Sequence, residues 1–380
     1  MHPLAIIIVL SILIGAVLVF SPLSVRDMIA SFPLFQAVVQ TQGEAGVEEP
    51  RANIFRSIES GRVWFPQVAV DAGQNIPEVT VLDLAMDILD PNIVYAGTEG
   101  AGLYKSVNNG QNWDKLFDRN KVLAANATVY RMAQDPNNAE NIYIAAFQNK
   151  YGVFLKSTDG GLSFAQTYIS QLENYPLRAL AIHPVLGNIL YIGTAQGGVF
   201  VSRDYGETWE VLKWLTGKIS DIVINPENPS EMYVVTSDRG LFRSVDGGQT
   251  WDSLARQLSR VTASNNIIAF RMDPADSRVL YLAVANGLVV SENRGTTWRF
   301  VDLLIPPRQL PVDAIALSPQ NRNTIYVGVG ALLYISEDAG VNWSVQKFNT
   351  QKRINIITVD YRDEQNIFMG MKNPQRQSSL

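Results

Sequence analysis

The octet SVDGGQTW, residues 244–251, sets a serine, a carboxylate and two glycines ahead of a closing tryptophan. Read alone it suits a catalytic or metal-binding loop as well as a structural turn. Repetition separates these readings, because chemistry is usually built once and architecture many times. The chain also carries SVNNGQNW at 106–113, STDGGLSF at 157–164, SRDYGETW at 202–209, SENRGTTW at 291–298, SEDAGVNW at 336–343 and a degraded SIESGRVW at 57–64. From Ser57 to Ser336 the mean period is about 46 residues, close to the roughly 40 to 50 of a four-stranded propeller blade.

The tolerance of each slot shows its purpose. The first is always serine and the fifth always glycine, while the third is Glu59, Asn108, Asp159, Asp204, Asp246, Asn293 or Asp338. A charge is therefore not required there, but a hydrogen-bond acceptor is. Short polar side chains fold back onto nearby N–H groups and glycine supplies positive φ, so the octet reads as a self-capped hairpin turn. Six of the seven tryptophans close a copy (Trp64, Trp113, Trp209, Trp251, Trp298, Trp343), with Phe164 in the remaining one, as expected of rings buried between neighbouring sheets. Ser106, Trp113, Asp159, Asp204, Trp209, Asp246, Trp251, Trp298, Asp338 and Trp343 are accordingly expected to be structural. A calcium loop would need several oxygens converging on one ion, and one replaceable acid per copy does not supply them.

Strands fall into place around each octet. An apolar run ending near Asp/Asn/His-Pro (LRALAIHP at 177–184, ISDIVINP at 219–226, IIAFRMDP at 267–274, VDAIALSP at 312–319) gives strand A, and runs such as ILYIGT and TIYVGV give strand B. Strand C (GLYKS, GVFVS, GLFRS) leads into the octet, and strand D leaves from its tryptophan. At the chain ends, INIITVDY at 354–361 and NIFMGMK at 366–372 are strands A and B lacking C and D, while IFRSIES and VWFPQ at 54–67 are C and D lacking A and B. The expected fold is all-β, a seven-bladed β-propeller whose last blade is shared by both termini, which removes two open sheet edges.

These octets resemble the Asp-box (BNR) repeats of sialidases, xyloglucan-cleaving glycosidases, sortilin-type receptors and the photosystem II assembly and stability factors, over about residues 54–370. The single ring and its GLFRSVDGGQTW-type repeats are most like the photosystem II assembly factor family. That likeness implies a non-enzymatic scaffold presenting a face to a membrane-protein or envelope-protein partner. The chain departs from the family in having no cysteine for lipid attachment.

Composition narrows the chemistry. With 47% hydrophobic residues, 27 glycines and 18 prolines, the 380-residue chain can bury a large core and has the turn supply of an all-β fold. A net charge of −5 gives no support to a nucleic-acid partner. Without cysteine there is no disulfide, thiolate metal site or cysteine nucleophile. His2 and His183 are the only histidines, and His183 occupies a turn slot filled elsewhere by Asp135, Asn225, Asp273 or Ser318, so neither a Ser-His-Asp triad nor a histidine metal site can be built. No cofactor is expected.

Residues 3–20, PLAIIIVLSILIGAVLVF, form an uncharged run of 18, about the minimum for a membrane span. No small-x-small cleavage site follows, so an uncleaved transmembrane anchor over residues 1–23 is expected ahead of a cleaved signal. A linker over 24–53, the propeller over 54–372 and a tail over 373–380 complete the expected domain plan. The positive-inside rule is nearly silent, Arg26 being the first basic residue. The Asp-box families resembled are mostly exported or luminal, which implies an extracytoplasmic ring (periplasmic, luminal or extracellular) held at the lipid bilayer through residues 3–20.

If strand A starts on one face of the ring, the B–C and D–A turns share that face and the octets lie on the other. Function is expected opposite the octets. Asp83, Arg131, Arg178, Asp221, Asp313 and Asn355 fall near the starts of A strands, and Glu99, Lys150, Gln196, Asp238 and Arg239 on B–C turns. The expected binding face is Arg131, Arg178, Asp221, Arg239 and Asp313. The competing reading is a glycoside hydrolase acting on polysaccharide, which needs two carboxyl groups across the scissile bond and has Asp83, Asp221, Asp313 and Glu99 available. Its xyloglucanase version finds a local likeness in GTEGAGLYKS at 97–106, though those enzymes use two facing rings. Its sialidase version lacks a FRIP-like motif, since IFRSIES has no proline after Arg56.

Overall fold

The computed structural model describes residues 52–67, 76, 78–262, 266–303 and 311–374, together with the backbone of a short strand, Val39–Thr41. Two compact units divide the chain, Met1–Thr41 and Gln42–Leu380. The expected anchor, most of the linker and the end of the tail lie outside the described residues. Among the described residues no helix is long and apolar enough to cross a membrane.

The second unit is a seven-bladed β-propeller. Each blade is a four-stranded antiparallel meander, and strand A is always the end strand of its sheet. Blade 1 consists of Val81–Met86, Val94–Thr98, Leu103–Ser106 and Asp114–Lys115. Blade 2 has the longest strands, Thr128–Asp135, Asn138–Gln148, Tyr151–Ser157 and Ala165–Ile169. Blade 3 follows with Leu177–Ile182, Leu190–Thr194, Gly198–Ser202 and Glu210–Trp214, and blade 4 with Ile219–Ile224, Met232–Thr236, Gly240–Ser244 and Asp252–Ser253. A one-turn helix, Ala255–Leu258, leads into blade 5, whose A strand is Ile267–Met272. Blade 6 begins at Ala314–Leu317 and ends at Ser344–Lys347.

Blade 7 closes the ring as the two half-blades at the chain ends anticipate. Its sheet runs Arg353–Val359, Ile367–Lys372, Ile54–Ser57, Phe65–Pro66. The two termini meet in register, Ile54 opposite Gly370 and Ser57 opposite Ile367. Arg56 Nε donates to Asn366 Oδ1 at 2.9 Å across the seam.

Strand B is buried along its whole length in blades 1, 3, 4, 5 and 6. Both its faces meet neighbouring blades, which is why its sequence is an unbroken apolar run rather than an alternating one. Seven apolar clusters fill the seven gaps between successive blades, including the gap between blades 7 and 1, where Ile54, Ile356 and Phe368 meet Val81, Leu84 and Trp113.

The octets are turns. Ser244 Oγ accepts from the backbone N–H of Gly248 at 2.8 Å and donates to Asp246 Oδ1 at 2.8 Å, which in turn accepts from Thr250 N at 2.9 Å. Asn108 and Asn293 do the same work with a neutral amide oxygen, accepting from Asn112 N and Thr297 N. The fifth-slot glycine meets two demands at once. Gly110 sits at φ +81°, and a β-carbon there would come within 2.4 Å of Phe368 in the preceding blade. Trp64, Trp113, Trp298 and Trp343 are buried, whereas Trp209 and Trp251 are only half-buried, a departure from the uniform burial expected.

A second set of capped turns joins strands A and B. Asp87 Oδ1 accepts from Leu89 N and Asp90 N, Asp273 Oδ1 from Ala275 N, and Ser318 Oγ from Gln320 N. His183 takes the same part through Nδ1, accepting from Val185 N at 3.2 Å and Leu186 N at 3.0 Å. Burial lowers its pKa below the ordinary histidine value, favouring the neutral, accepting form.

Candidate functional site at the channel mouth

Strand A lines the central channel, and its start is irregular in a repeated way. In blades 1, 2, 3, 4, 5 and 7 the A–B ladder skips one residue, at Leu82, Tyr130, Arg178, Ser220, Ile268 and Asn355. A β-bulge turns two consecutive side chains toward the same side, where regular pleating would send them to opposite sides. The skipped residues all line one cavity of about 300 Å³, joined there by Arg131, Asp221, Ala269 and Ile356 from the next position. Asp313 and Ala314 contribute the equivalent pair from blade 6.

The A-start residues expected near the mouth therefore occupy two positions, not one. Arg178, Asp313 and Asn355 hold the first, Asp83, Arg131 and Asp221 the second. Both reach the channel region because of the bulge.

The second-position residues form an ion cluster across the ring. Arg131 lies 3.9 Å from Asp83 Oδ1 and 3.5 Å from Asp221 Oδ2, linking blades 1, 2 and 4. Asp83 Oδ2 also accepts from Met132 N at 2.7 Å. Burial raises the Asp83 pKa, with Arg131 pulling the other way and Asp221 adding to the rise. For Arg131 burial opposes the charge, yet Asp221 and Asp83 outweigh it and its pKa is raised.

Arg271 joins this cluster and was not picked out from the sequence. It lies five positions into strand A of blade 5, lines the cavity, and donates from Nη1 to Phe270 O at 2.7 Å. Burial lowers its pKa, with Asp221 opposing and Arg131 adding repulsion. A signal was present, since the same slot holds Ala85, Ala133, Ala181, Val223, Ala316 and Thr358 in the other blades. A lone arginine in a slot of small and apolar residues marks a charge facing the channel.

Asp313 is enclosed. Arg353 Nη2 donates to its two oxygens at 2.9 and 2.7 Å, Lys372 Nζ at 3.0 Å and Gly330 N at 2.8 Å. Arg178 lies over the Tyr130 ring, 5.4 Å from its centre. Among the described residues neither Arg178 nor Arg271 has a carboxylate within salt-bridge distance. Asn355 Nδ2 donates to Val81 O at 2.8 Å and so ties blade 7 to blade 1.

The B–C turn residues do not enter the cavity. Glu99 is exposed, and its N–H donates to Thr80 O. Lys150 pairs with Glu173 at 3.5 Å, Asp238 Oδ1 accepts from Lys218 N at 2.8 Å, and Arg239 stands exposed on the rim.

Chemically, the mouth holds three acids already engaged by guanidinium groups and two arginines that are not engaged by acids. Among the described residues no group of three or more histidines, cysteines or carboxylates is placed to hold a metal ion. Such an arrangement suits recognition of an acidic or carbonyl-rich partner better than paired-carboxylate hydrolysis, in which both acids must be free to act on one bond.

Known proteins fall on both sides of that choice. The xyloglucanase Xgh74A of Acetivibrio thermocellus is 32% identical over 134 residues, covering 32% of this chain and 16% of the enzyme, so the chain spans about one sixth of that relative's length. Among solved structures, the GH74 xyloglucanase from Xanthomonas campestris superposes with a TM-score of 0.61 at 17% identity, covering 77% of this chain and 51% of the enzyme. A structure described as YCF48 bound to D1 peptide gives 0.59 at 18% identity, covering 78% of this chain and 94% of that one. YCF48 from Cyanidioschyzon merolae gives 0.59 at 16% identity, covering 80% and 98%. At these identities the structural likenesses establish the fold alone. The family described as photosynthesis system II assembly factor YCF48 matches residues 74–373, nearly the whole ring, and the chain belongs to that family.

Proposed function

We propose that this propeller is a non-catalytic binding and assembly protein that takes a segment of a photosystem II protein at its channel face. The observation that carries this reading is the pair of guanidinium groups without a direct ion pair among the described residues, Arg178 and Arg271, in the mouth of a ring whose acids are already bound. Family membership supplies the partner class, and the relative solved with a D1 peptide supports a peptide as the guest. The ring is held on the extracytoplasmic side of a membrane through the uncharged run at 3–20, a reading supported by that run and by the exported character of similar repeat proteins.

Calorimetric titration of the full chain with a D1 peptide tests the reading. Binding is expected, and Arg178→Glu is expected to weaken it about tenfold or more by reversing complementarity at an interface charge. Its melting temperature should fall only slightly, since Arg178 pairs with no acid and the substitution removes one contact with the Tyr130 ring.

The glycosidase reading keeps one observation in its favour, the 32% identity to a xyloglucanase segment. It requires Asp83, Asp221 or Asp313 to act as acid or nucleophile. Xyloglucan cleavage by the full chain, abolished by Asp221→Asn, would replace the binding reading.

A further inference from the structure

One tryptophan, Trp214, belongs to no octet. It ends strand D of blade 3 on the channel face and is 55% exposed. Its ring lies edge-on to Phe200 at 6.0 Å, Phe200 meets Tyr168 at 5.2 Å, and Tyr168 meets Trp209 at 6.2 Å. Gly198 pairs with Trp214 in the ladder, and a β-carbon there would come within 3.1 Å of the indole and 2.7 Å of Phe200. The exposed indole is thus held in one pose by half-buried rings and a bare backbone, so little conformational freedom remains to be lost on contact.

The surroundings are continuous. Ala195 N donates to Pro176 O at 3.1 Å and Leu215 N to Gly197 O at 2.8 Å, while Lys218 N donates to Asp238 Oδ1 at 2.8 Å. These bonds join the D–A turns of blades 2 and 3 to the B–C turns of blades 3 and 4. Leu172 and Tyr175 stand exposed on the D–A turn between blades 2 and 3, and Ile169 at the end of the strand before it. Lys213, Lys218 and Arg239 are exposed on the rim too, and among the described residues none has a salt-bridge partner. Of the acids on these turns, Glu173 is paired with Lys150, and Asp238 accepts from the Lys218 N–H, so three basic side chains face one unpaired carboxylate.

We propose that this rim of blades 2 to 4 docks on the interface of an anionic lipid bilayer. Indole and phenol rings settle at headgroup depth, and basic side chains beside them are drawn to anionic headgroups. None of these residues lines the channel cavity, whereas a site for a peptide or small molecule is expected to be concave. The rim shares a face with the channel mouth but no residue with its lining, so loss of lipid binding through rim substitutions is distinguishable from loss of a peptide guest through Arg178.

The test uses the full chain with vesicles of phosphatidylcholine and brominated phosphatidylglycerol in equal parts, read by tryptophan quenching. The first tryptophan is Trp64, so the signal reports on the ring and not on residues 3–20. A quenched component is expected that disappears in Trp214→Phe without a change in melting temperature. Neutralising Lys213, Lys218 and Arg239 to Gln should raise the lipid concentration for half-quenching roughly fivefold per charge and flatten its dependence on salt. Unquenched emission, or equal quenching in Trp214→Phe, overturns the proposal. Capture of an acidic apolar peptide by the rim without quenching also overturns it and assigns the rim to a protein.

Discussion

The two faces of this ring are built from the same strands by opposite rules. On the octet face blades 1 to 6 repeat one set of hydrogen bonds, glycine N–H to serine hydroxyl oxygen and seventh-slot N–H to the third-slot acceptor oxygen, from Ser106 to Ser336. On the channel face a bulge repeated in six blades presents a different side chain each time, Leu82, Tyr130, Arg178, Ser220, Ile268 and Asn355. A constant turn and a constant bulge do different work. The turn uses up its side chains in closing the hairpin, whereas the bulge is made by the backbone and aims varied side chains at a common point. Identity among repeats therefore marks structure, and difference among repeats marks the place to look for function.

The contrast can be broken most forcefully on the octet face. Trp113→Ala removes a ring that is 2% exposed and is expected to cost about 3 to 5 kcal/mol in denaturant unfolding, since truncating a buried aromatic leaves a cavity. Trp251→Ala, at a half-buried position, should cost less. Equal losses would mean that the two rings are not graded by burial.

On the channel face, Arg131→Met should destabilise by about 1 to 3 kcal/mol at neutral pH, below the value for a fully buried pair because Arg131 keeps some solvent contact. The substitution leaves Asp83 and Asp221 facing each other. Asp83 already has a raised pKa, so lowering the pH should protonate it and return part of the loss. A deficit that stays constant with pH would remove Asp83 from the ion cluster.

Smaller effects sharpen the reading of the octet carboxylates. Asp159 and Asp204 have pKa values lowered to about 2, chiefly by side-chain hydrogen bonds from Ser163 and Thr208. A depressed carboxylate stabilises the fold fully above its unfolded value, and the contribution is lost as pH falls toward about 2. Converting Asp159, Asp204, Asp246 and Asp338 to Asn should leave the melting temperature at neutral pH unchanged and flatten only the acid limb. A neutral-pH loss would show that charge matters beyond the acceptor role filled by Asn108 and Asn293.

The smallest expected effect is at His183. Its lowered pKa means that the neutral ring stabilises the A–B turn at neutral pH, and that this is lost as the pH falls through the folded value. His183→Asn should keep the turn and abolish that dependence, as read by melting between neutral and mildly acidic buffer.

Blade count and ring closure were legible because they rest on periodicity: a fixed spacing of octets, apolar runs of strand length, and two half-blades at opposite ends that complete each other. The channel mouth was legible only in part. The bulge sets Arg178 and Arg131, one register position apart, into the same region, and nothing in the pattern of apolar residues announces an extra residue in a strand. Arg271 stayed hidden for a related reason, because in IIAFRMDP the residues around it satisfy the strand and draw attention away from the one that does not belong. Ion pairing was beyond reach, since the link from Arg131 to Asp221 depends on the curvature of the ring rather than on nearness in sequence.

The seam in blade 7 has a consequence for how the molecule comes into being. Arg56 and Asn366, which meet there, are 310 residues apart in the chain. During synthesis the earliest-made hairpin of the ring must wait, unpaired, until Ile367–Lys372 emerges. Blades 1 to 6 can assemble in the order they are made, each on the one before it, but the circle cannot exist until the A and B strands of blade 7 are made. Closure is therefore a single long-range pairing of strands far apart in sequence, whereas every other blade is made of neighbours in the chain. Rejoining the termini and opening the chain between blades 3 and 4 would move that wait elsewhere and leave the finished ring the same.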